Sequence, residues 1–291
     1  MENFLKELRE ILTLNNYNDV DETIEYFKEL ILDSIENGQS EEEVIESLGS
    51  AKEVAYTIIG DKKIRIDETT SNVVSIEAIS ADINIDTYDG DKINVECNNS
   101  KFEVRNVNGS IYIKEIKKIF IISINKSKDN IYIHIPKNYK LNKMLLIGVS
   151  SDIDIKGDFF IDELKIKTVS GNIKINKLDS NAISINTVSG DVRINDIKTN
   201  DANVSTVSGD ITSETIKCIS FNGKAVSGDV NFEGAVDKLN LNTKSGDINV
   251  LIDGLEEDYH IECKDMADKK IADKSLILNS ITGDINYSFK G

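Results

Sequence analysis

The chain has 291 residues, of which 51 are acidic and 34 are basic, and its formal net charge is −17. This negative balance argues against nucleic acid as the main partner. The length allows two domains or one long solenoid with a small attachment, and the absence of a long apolar run or a signal-peptide pattern predicts no integral membrane segment.

The first sixty residues predict a small α-helical bundle. Apolar residues recur at helical spacing over residues 3–14. Asp19 with Glu22, and Ser40 with Glu43, have the spacing of capping boxes at the start of a second and a third helix, and Ser50 with Glu53 would cap a last helix. This segment carries 15 acidic and 4 basic side chains, so much of the negative charge of the chain is concentrated here.

The second half of this segment resembles a known bacterial domain. Residues 37–45 read Asn-Gly-Gln-Ser-Glu-Glu-Glu-Val-Ile, and residues 48–55 read Leu-Gly-Ser-Ala-Lys-Glu-Val-Ala. This order resembles the helix-turn-helix-associated α-helical signalling domain, although Ala51 stands where that family usually has proline. The resemblance covers residues 1 to about 60, and it implies partner binding and signalling rather than catalysis.

The next part of the chain, residues 64–160, has strand patterns but no regular repeat. We expect atypical first coils here that close one end of a solenoid. The corner positions of three degenerate coils are expected at Ala81, Gly109 and Ser151. Further strands are expected at 119–125 and 130–135.

Residues 161–251 contain a five-residue sequence, Thr-Val-Ser-Gly-Asp with small variations, that returns with a period near 19. Its glycines are Gly171, Gly190, Gly209, Gly228 and Gly246, with a late echo at Gly283. Apolar and polar residues alternate around each glycine, as in a strand with one buried face. We therefore predict a mainly β fold: a single-stranded β-solenoid, right-handed and β-helix-like, with about 19 residues per coil.

Each coil is expected to contain two or three short strands around a narrow core of isoleucine, valine and leucine. The outward positions are mostly polar: Lys165, Asn176, Ser184, Asn186, Asn195, Asn203, Ser205, Asn222, Asn240 and Asn242. Stacked asparagines form hydrogen bonds along a column, which stabilises a solenoid without any ligand. A flat polar face that binds a glycan or a partner strand is the alternative interpretation.

The aspartates of the repeat form a predicted ladder of like charges at one corner: Asp191, Asp210, Asp229 and Asp247. Stacked coils would place these carboxylates about 4.8 Å apart. We expect each carboxylate to be neutralised by N–H groups of its own turn. A cation bound along the ladder is the alternative, but no metal or cofactor site is predicted.

An insertion at residues 253–275, around an expected strand at 259–263, follows the regular coils. The Val-Ser-Gly-Asp repeats resemble the putative-adhesin β-strand repeat family of bacteria over residues from about 70 to 291. The two domains, 1–60 and 64–291, are together similar to envelope-stress or regulator-linked proteins of Gram-positive bacteria. Neither family brings catalytic residues to this chain.

Residues with chemical potential are few. His134 and His260 are far apart in the sequence, and each lies in a segment of alternating apolar and polar residues that predicts a strand. We therefore interpret them as ordinary strand residues. Cys97, Cys218 and Cys263 have no metal-type or redox-type spacing, and their odd number favours reduced thiols in the cytoplasm. No catalytic residue is therefore assigned.

Two charged segments are candidate binding surfaces. The acidic face of the helical unit contains Glu36, Glu41, Glu42 and Glu46. This face is either simply solvated or docks a protein partner. The lysine-rich stretch from Lys114 to Lys143 is a weaker candidate for peripheral contact with an anionic membrane.

We therefore expect a non-enzymatic interaction or signalling scaffold in the cytoplasm, linked to cell-envelope stress or to a transcriptional regulator. Its protein partner would bind through the helical domain. An adhesin-like surface-binding protein is the alternative, which the missing export signal opposes. A second alternative is a polysaccharide-acting enzyme on a β-helix, because clustered aspartates serve such enzymes.

Overall fold

The computed structural model describes two compact units, Met1–Glu68 and Thr69–Gly291. In the first, the described residues are 1–14, 17, 19–36, 40–48, 51, 54, 55 and 58. In the second, they are 72–97, 101–107, 109–116, 129–137, 139–263, 266–267 and 272–291. The strand expected at 119–125 and the cap expected at Ser50 and Glu53 lie outside the described residues.

The described residues of the first unit form the helices α1 (Glu2–Leu14), α2 (Val20–Glu36) and α3 (Glu41–Leu48), and Ala51, Val54, Ala55 and Ile58 are helical as well. Its core is apolar and includes Leu8, Leu12, Phe27 and Ile31. Helices α2 and α3 start directly after Asp19 and Ser40, as expected, and the carbonyl oxygens of these two residues accept the first helical hydrogen bonds. Among the described residues no helix is long and apolar enough to span a membrane.

The described residues of the second unit form 18 strands, numbered in chain order. The first nine are β1 Val73–Ala78, β2 Asp82–Tyr88, β3 Asn94–Glu96, β4 Phe102–Val107, β5 Ser110–Glu115, β6 Asn130–Pro136, β7 Lys140–Gly148, β8 Ile153–Lys156 and β9 Phe160–Ser170. The others are β10 Ile173–Ser189, β11 Val192–Ser205, β12 Ile211–Lys224, β13 Val230–Thr243, β14 Ile248–Asp253, β15 Tyr259–Cys263, β16 Met266–Ala267, β17 Lys274–Ser280 and β18 Ile285–Lys290.

Each regular coil has three sides, and β10 shows this in its pattern of buried residues. Buried and exposed residues alternate, but two outward residues follow each other at 176–177 and again at 181–182. These phase changes are corners. We call the three sides side A (173–176 in β10), side B (178–180) and side C (183–187), in agreement with the expected short strands around a narrow core.

The coils stack in parallel with matched register, which confirms the β-solenoid. On side A, Ile173 pairs with Val192, and this column continues through Ile211, Val230, Ile248 and Ile285. The side chains of the column from Ile173 to Ile248 are buried. Equivalent columns on sides B and C complete one continuous hydrophobic core.

The corner between sides A and B contains residues in the left-handed backbone region. Lys177, Asp196 and Thr215 have φ angles of 57°, 50° and 56°. They occupy the same place in successive coils, six residues after the corner glycine. The next coil is one residue shorter, and its register shifts at this corner. The single-residue difference is therefore absorbed at a corner, and the sides remain in register.

The order of the coils differs from the order of the chain at both ends of the solenoid. Strand β1 lies between β5 and β7, and β2 lies between β6 and β8. The first coil of the chain is therefore the second level of the stack. At the other end β17 lies between β13 and β15, so β15, in the expected insertion, extends side C beyond β17.

The expectation of a degenerate coil at Gly109 is wrong. Strands β4 and β5 pair antiparallel, with Val107 opposite Ser110, so they form a hairpin and not a coil. Gly109 has a φ of 86°, which suits the tight two-residue turn of a hairpin. The corners expected at Ala81 and Ser151 are confirmed, since each lies between a strand on side C and a strand on side A.

The left-handed corner generates a prediction about stability. A β-branched residue such as Thr215 is disfavoured at a φ of 56°, whereas asparagine tolerates this region. We expect Thr215→Asn to raise the free energy of unfolding by about 1 kcal/mol, measured from the urea midpoint. Thr212→Asn, on side A of the same coil, is the matched control and should not stabilise. A lower midpoint for Thr215→Asn would contradict the strain.

Candidate functional site

The corner between sides C and A is built around stacked glycines. A Cβ atom added to Gly190 would lie 2.1 Å from the carbonyl oxygen of Gly171, and one added to Gly228 would lie 2.0 Å from that of Gly209. No side chain tolerates such an approach to backbone. The repeated glycine is therefore required by the close stacking of successive corners, whatever else the corner does.

The corner aspartates form a hydrogen-bonded ladder. The N–H of Asp210 donates to Oδ1 of Asp191 at 3.1 Å, and the N–H of Asp229 donates to Oδ1 of Asp210 at 2.8 Å. The ladder runs from Asp82 to Asp284. The carboxylates are satisfied by backbone N–H groups, as expected, but each donor belongs to the next coil and not to the same turn.

This ladder offers a polar surface without the features of a metal site. An open cleft of about 410 Å³ lies over it and is lined by serine, glycine and acidic or amide side chains, including Asp152 and Asp191. Within the described ranges, no three His, Cys, Asp or Glu side chains are placed to hold a metal ion. Asn172 occupies one place in the ladder and takes part in the same way as its aspartate neighbours.

Columns of asparagine amides run along the outer surface, as expected from the stacked asparagines of the repeat. On side A, Asn195 donates to Asn176 at 3.1 Å, and Asn249 donates to Asn231 at 2.9 Å. Side C has equivalent bonds: Asn222 to Asn203, Asn279 to Asn242, and Ser205 to Asn186. These side chains bind each other, and they present a regularly spaced polar surface.

The two histidines lie near opposite ends of the solenoid. His134, on β6, lies between two carboxylates, with Nδ1 2.5 Å from Asp86 and Nε2 3.6 Å from Glu96. His260 lies on β15, at the other end. The structure therefore does not bring them together, and both belong to strands, as expected.

The three cysteines form no disulfide with one another. Burial, reinforced by the negative charges of Asp237 and Asp201, raises the pKa of the Cys218 thiol to about 12. Burial also raises the pKa of Cys97. A thiol with a raised pKa is a poor nucleophile, which argues against a catalytic role for either residue.

Where the structure describes the charged segments noted in the sequence, their side chains take part in local ion pairs. In the described part of the lysine-rich stretch, lysines pair with acidic side chains of the solenoid: Lys114 with Glu77, Lys137 with Asp89, and Lys143 with Glu163. In the helical unit Glu41 pairs with the terminal amino group of Met1. The side chains of Glu36, Glu42 and Glu46 lie outside the described residues.

Side B contains a polar feature that sequence reasoning missed. Ser180 and Thr199 are buried on successive coils, and their hydroxyl oxygens are 3.0 Å apart. They belong to an inward column that also contains Leu141 and Ile161 before them and Cys218 and Val236 after them. The sequence signal was a residue eight or nine positions after a corner glycine, but because Ser180 and Thr199 are polar, the pattern did not indicate burial.

The ladder predicts that a corner needs a side-chain hydrogen-bond acceptor but does not need a negative charge. We expect Asp210→Asn to change the free energy of unfolding by less than about 0.5 kcal/mol, because Asn172 already serves in the ladder. Asp210→Ala removes the acceptor for Asp229 and should cost about 1 kcal/mol. Urea midpoints at low and high salt measure both. Equal losses in the two variants would show that charge, not hydrogen bonding, maintains the corner.

The raised pKa of Cys218 predicts slow alkylation. In the folded chain at pH 8 we expect iodoacetamide to modify Cys218 about 100-fold more slowly than in urea, because the thiolate is scarce and half-buried. Mass spectrometry of the labelled peptides measures the rate at each cysteine. Rapid labelling of Cys218 in the folded chain would contradict the burial that raises its pKa.

Comparison with known proteins agrees with both resemblances. A family model described as Toastrack DUF4097 matches residues 59–290, and a model named HAAS matches residues 3–57. No curated protein matches the chain.

The solved structures that are similar to this chain include three proteins named for adhesion. Proteins named putative adhesin from Bacteroides fragilis and from Parabacteroides distasonis are each 14% identical, with TM-scores of 0.47, over 75% of this chain and 92% of theirs. A protein named putative cell adhesion protein from Clostridium sporogenes is 13% identical, with a TM-score of 0.22, over 76% of this chain and 93% of its own. On the match to residues 59–290, the chain belongs to the Toastrack DUF4097 family, and a HAAS domain precedes its solenoid.

Proposed function

We propose that the protein is a non-enzymatic interaction scaffold, in which the helical unit docks a protein partner and the solenoid presents a rigid polar surface. The observation that carries the proposal is that the corner carboxylates are engaged in hydrogen bonds to the backbone. Each accepts a hydrogen bond from the next coil, as Asp210 does from Asp229. Groups engaged in this way maintain the stack and are poorly suited to move protons in a reaction.

The solenoid is suited to presentation because its outer side chains are ordered by their neighbours. Asn222 is bonded to Asn203, and Asn249 to Asn231, at 3.2 and 2.9 Å. Such columns hold hydrogen-bonding groups at the coil spacing of about 4.8 Å. A partner that binds this surface therefore meets preorganised groups and loses little free energy in ordering them.

The helical unit is suited to docking because it is small and keeps apolar surface exposed. Leu32, on α2, is 41% exposed although it lies beside the buried Ile31. We propose a signalling role in the cytoplasm, linked to the cell envelope or to a transcriptional regulator. The HAAS match and an odd number of thiols without a disulfide support this placement.

The proposal predicts that partner capture depends on the helical surface. Full-length chain should retain a protein from lysate of the native host, Leu32→Glu should lose it, and Ile219→Glu should keep it. Ile219 is the matched control, because it is an aliphatic side chain on β12 that is 51% exposed. Quantitative mass spectrometry of the eluates measures capture, and circular dichroism checks folding. Equal capture by both variants would contradict docking through α2.

A further inference from the structure

The outer edge of β18 differs from the other described ends of sides A and C. At the first end of the solenoid, β4 lies antiparallel on β5 and β3 lies antiparallel on β6. At the other end, β16 lies antiparallel on β15. Among the described residues β18 pairs with β14 alone. Three ends thus carry a reversed strand, and the end of side A at β18 does not.

The edge of β18 is recessed with respect to side C. Strands β17 and β18 belong to the same coil, and on side C β15 lies one level beyond β17 and the two-residue β16 lies beyond β15. Side A therefore stops at least one level, about 4.8 Å, short of side C. A single extended segment fits in this recess beside β15, whereas a second solenoid docked end-on would meet β15 and β16 first.

The backbone of β18 is oriented for a further strand. The carbonyl oxygens of Asp284 and Lys290 accept hydrogen bonds from Ile248 and Gly254, at 2.9 and 3.0 Å, so these groups face β14. Backbone direction alternates along a strand. The peptide groups of Ile285 and Phe289 therefore point away from β14, toward the edge where another strand would pair.

The inward row of β18 still exposes apolar surface. Ile285, Tyr287 and Phe289 are in register with Ile248, Val250 and Ile252 of β14. The three β14 side chains are at most 5% exposed, but Tyr287 is 37% exposed. Ile281, in the preceding corner, is 74% exposed. A covering strand therefore needs apolar residues at three alternate positions.

The outward row of β18 specifies polar partners. The side-chain amide of Asn286 donates to Oδ1 of Asn249 at 3.1 Å. The amide column on side A therefore ends at the side-chain oxygen of Asn286. Asp284 is the last member of the corner ladder. At the other end of the strand, Lys290 donates a hydrogen bond to Glu233 at 2.6 Å, and its ammonium group can donate to a second carboxylate. The opposite charges at the two ends of β18 require a basic residue opposite Asp284 and an acidic residue opposite Lys290 in the incoming strand.

We propose that β18 binds an extended segment of a partner protein by antiparallel strand addition. From its amino end the segment has an acidic residue opposite Lys290, then alternating apolar and polar residues, an amide opposite Asn286, and a basic residue opposite Asp284. This surface lies on the solenoid and does not depend on docking through the helical unit. The edge supplies affinity through main-chain hydrogen bonds, and the two rows supply specificity.

Disulfide trapping with synthetic peptides tests both the site and the direction. The probes are Glu-Val-Cys-Ile-Asn-Val-Lys and Glu-Val-Thr-Ile-Cys-Val-Lys, each offered to the full-length Ser288→Cys and Asn286→Cys chains in a thiol redox buffer. In the antiparallel register the third peptide residue faces position 288 and the fifth faces position 286. These are non-hydrogen-bonded pairs with Cα atoms about 4.5 Å apart, a distance that a disulfide spans.

We expect the two facing combinations to be trapped about tenfold more than the two crossed combinations. Equal trapping in all four would reflect random thiol collision and overturn the proposal, and dominance of the crossed pairs would overturn the antiparallel direction. Adding Tyr287→Lys should abolish the preference, since it places a charge in the apolar row. Tyr132→Lys is the matched control, because Tyr132 is 42% exposed at the other end of the stack; an equal effect there would also overturn the proposal.

Discussion

The contact between the corner glycines of successive coils is the constraint on which the solenoid depends. The carbonyl oxygen of Gly209 occupies the place that a Cβ of residue 228 would take, 2.0 Å away. Because the corners approach so closely, the N–H of each following aspartate reaches the carboxylate of the coil before it. The same spacing lets asparagine amides bond from coil to coil. One steric condition thus sets the corner chemistry and the surface chemistry together.

The regular coils could be predicted because their signals are local and repeated. The glycine period located the corners, and the alternation of apolar and polar residues located the inward columns, as at Ile173 and Ile175. The amide columns followed from equal spacing alone. What sequence could not reveal was the donor to each aspartate, since a turn N–H of the same coil and one from the next coil are equally consistent with Ser-Gly-Asp.

Features that depend on distant residues were not predictable. Asn108-Gly109 is followed by an alternating strand in the same way as a true corner, and only pairing with β4 shows a hairpin. The core also hides compensation between coils. Ser213 is small and buried, although Ile194 and Phe232 occupy the same place in the coils on either side, and Phe232 packs against Phe221 with ring centroids 5.0 Å apart. The residue type at one position does not reveal the size of the side chain that packs beside it from a coil 19 residues away.

The reversal of coil order at the first end has a consequence for folding during synthesis. A regular coil can add to its predecessor once about 19 more residues have emerged, as the register of β10 on β11 shows. The β1–β2 coil instead needs strands on both of its sides, and the N–H of Asp152 reaches back to Asp82 across 70 residues. The first coil of the chain therefore stays incomplete until strands β5 to β8, which pair with it on both sides, have been synthesised. From β9 onward, growth can then proceed one coil at a time on a finished template.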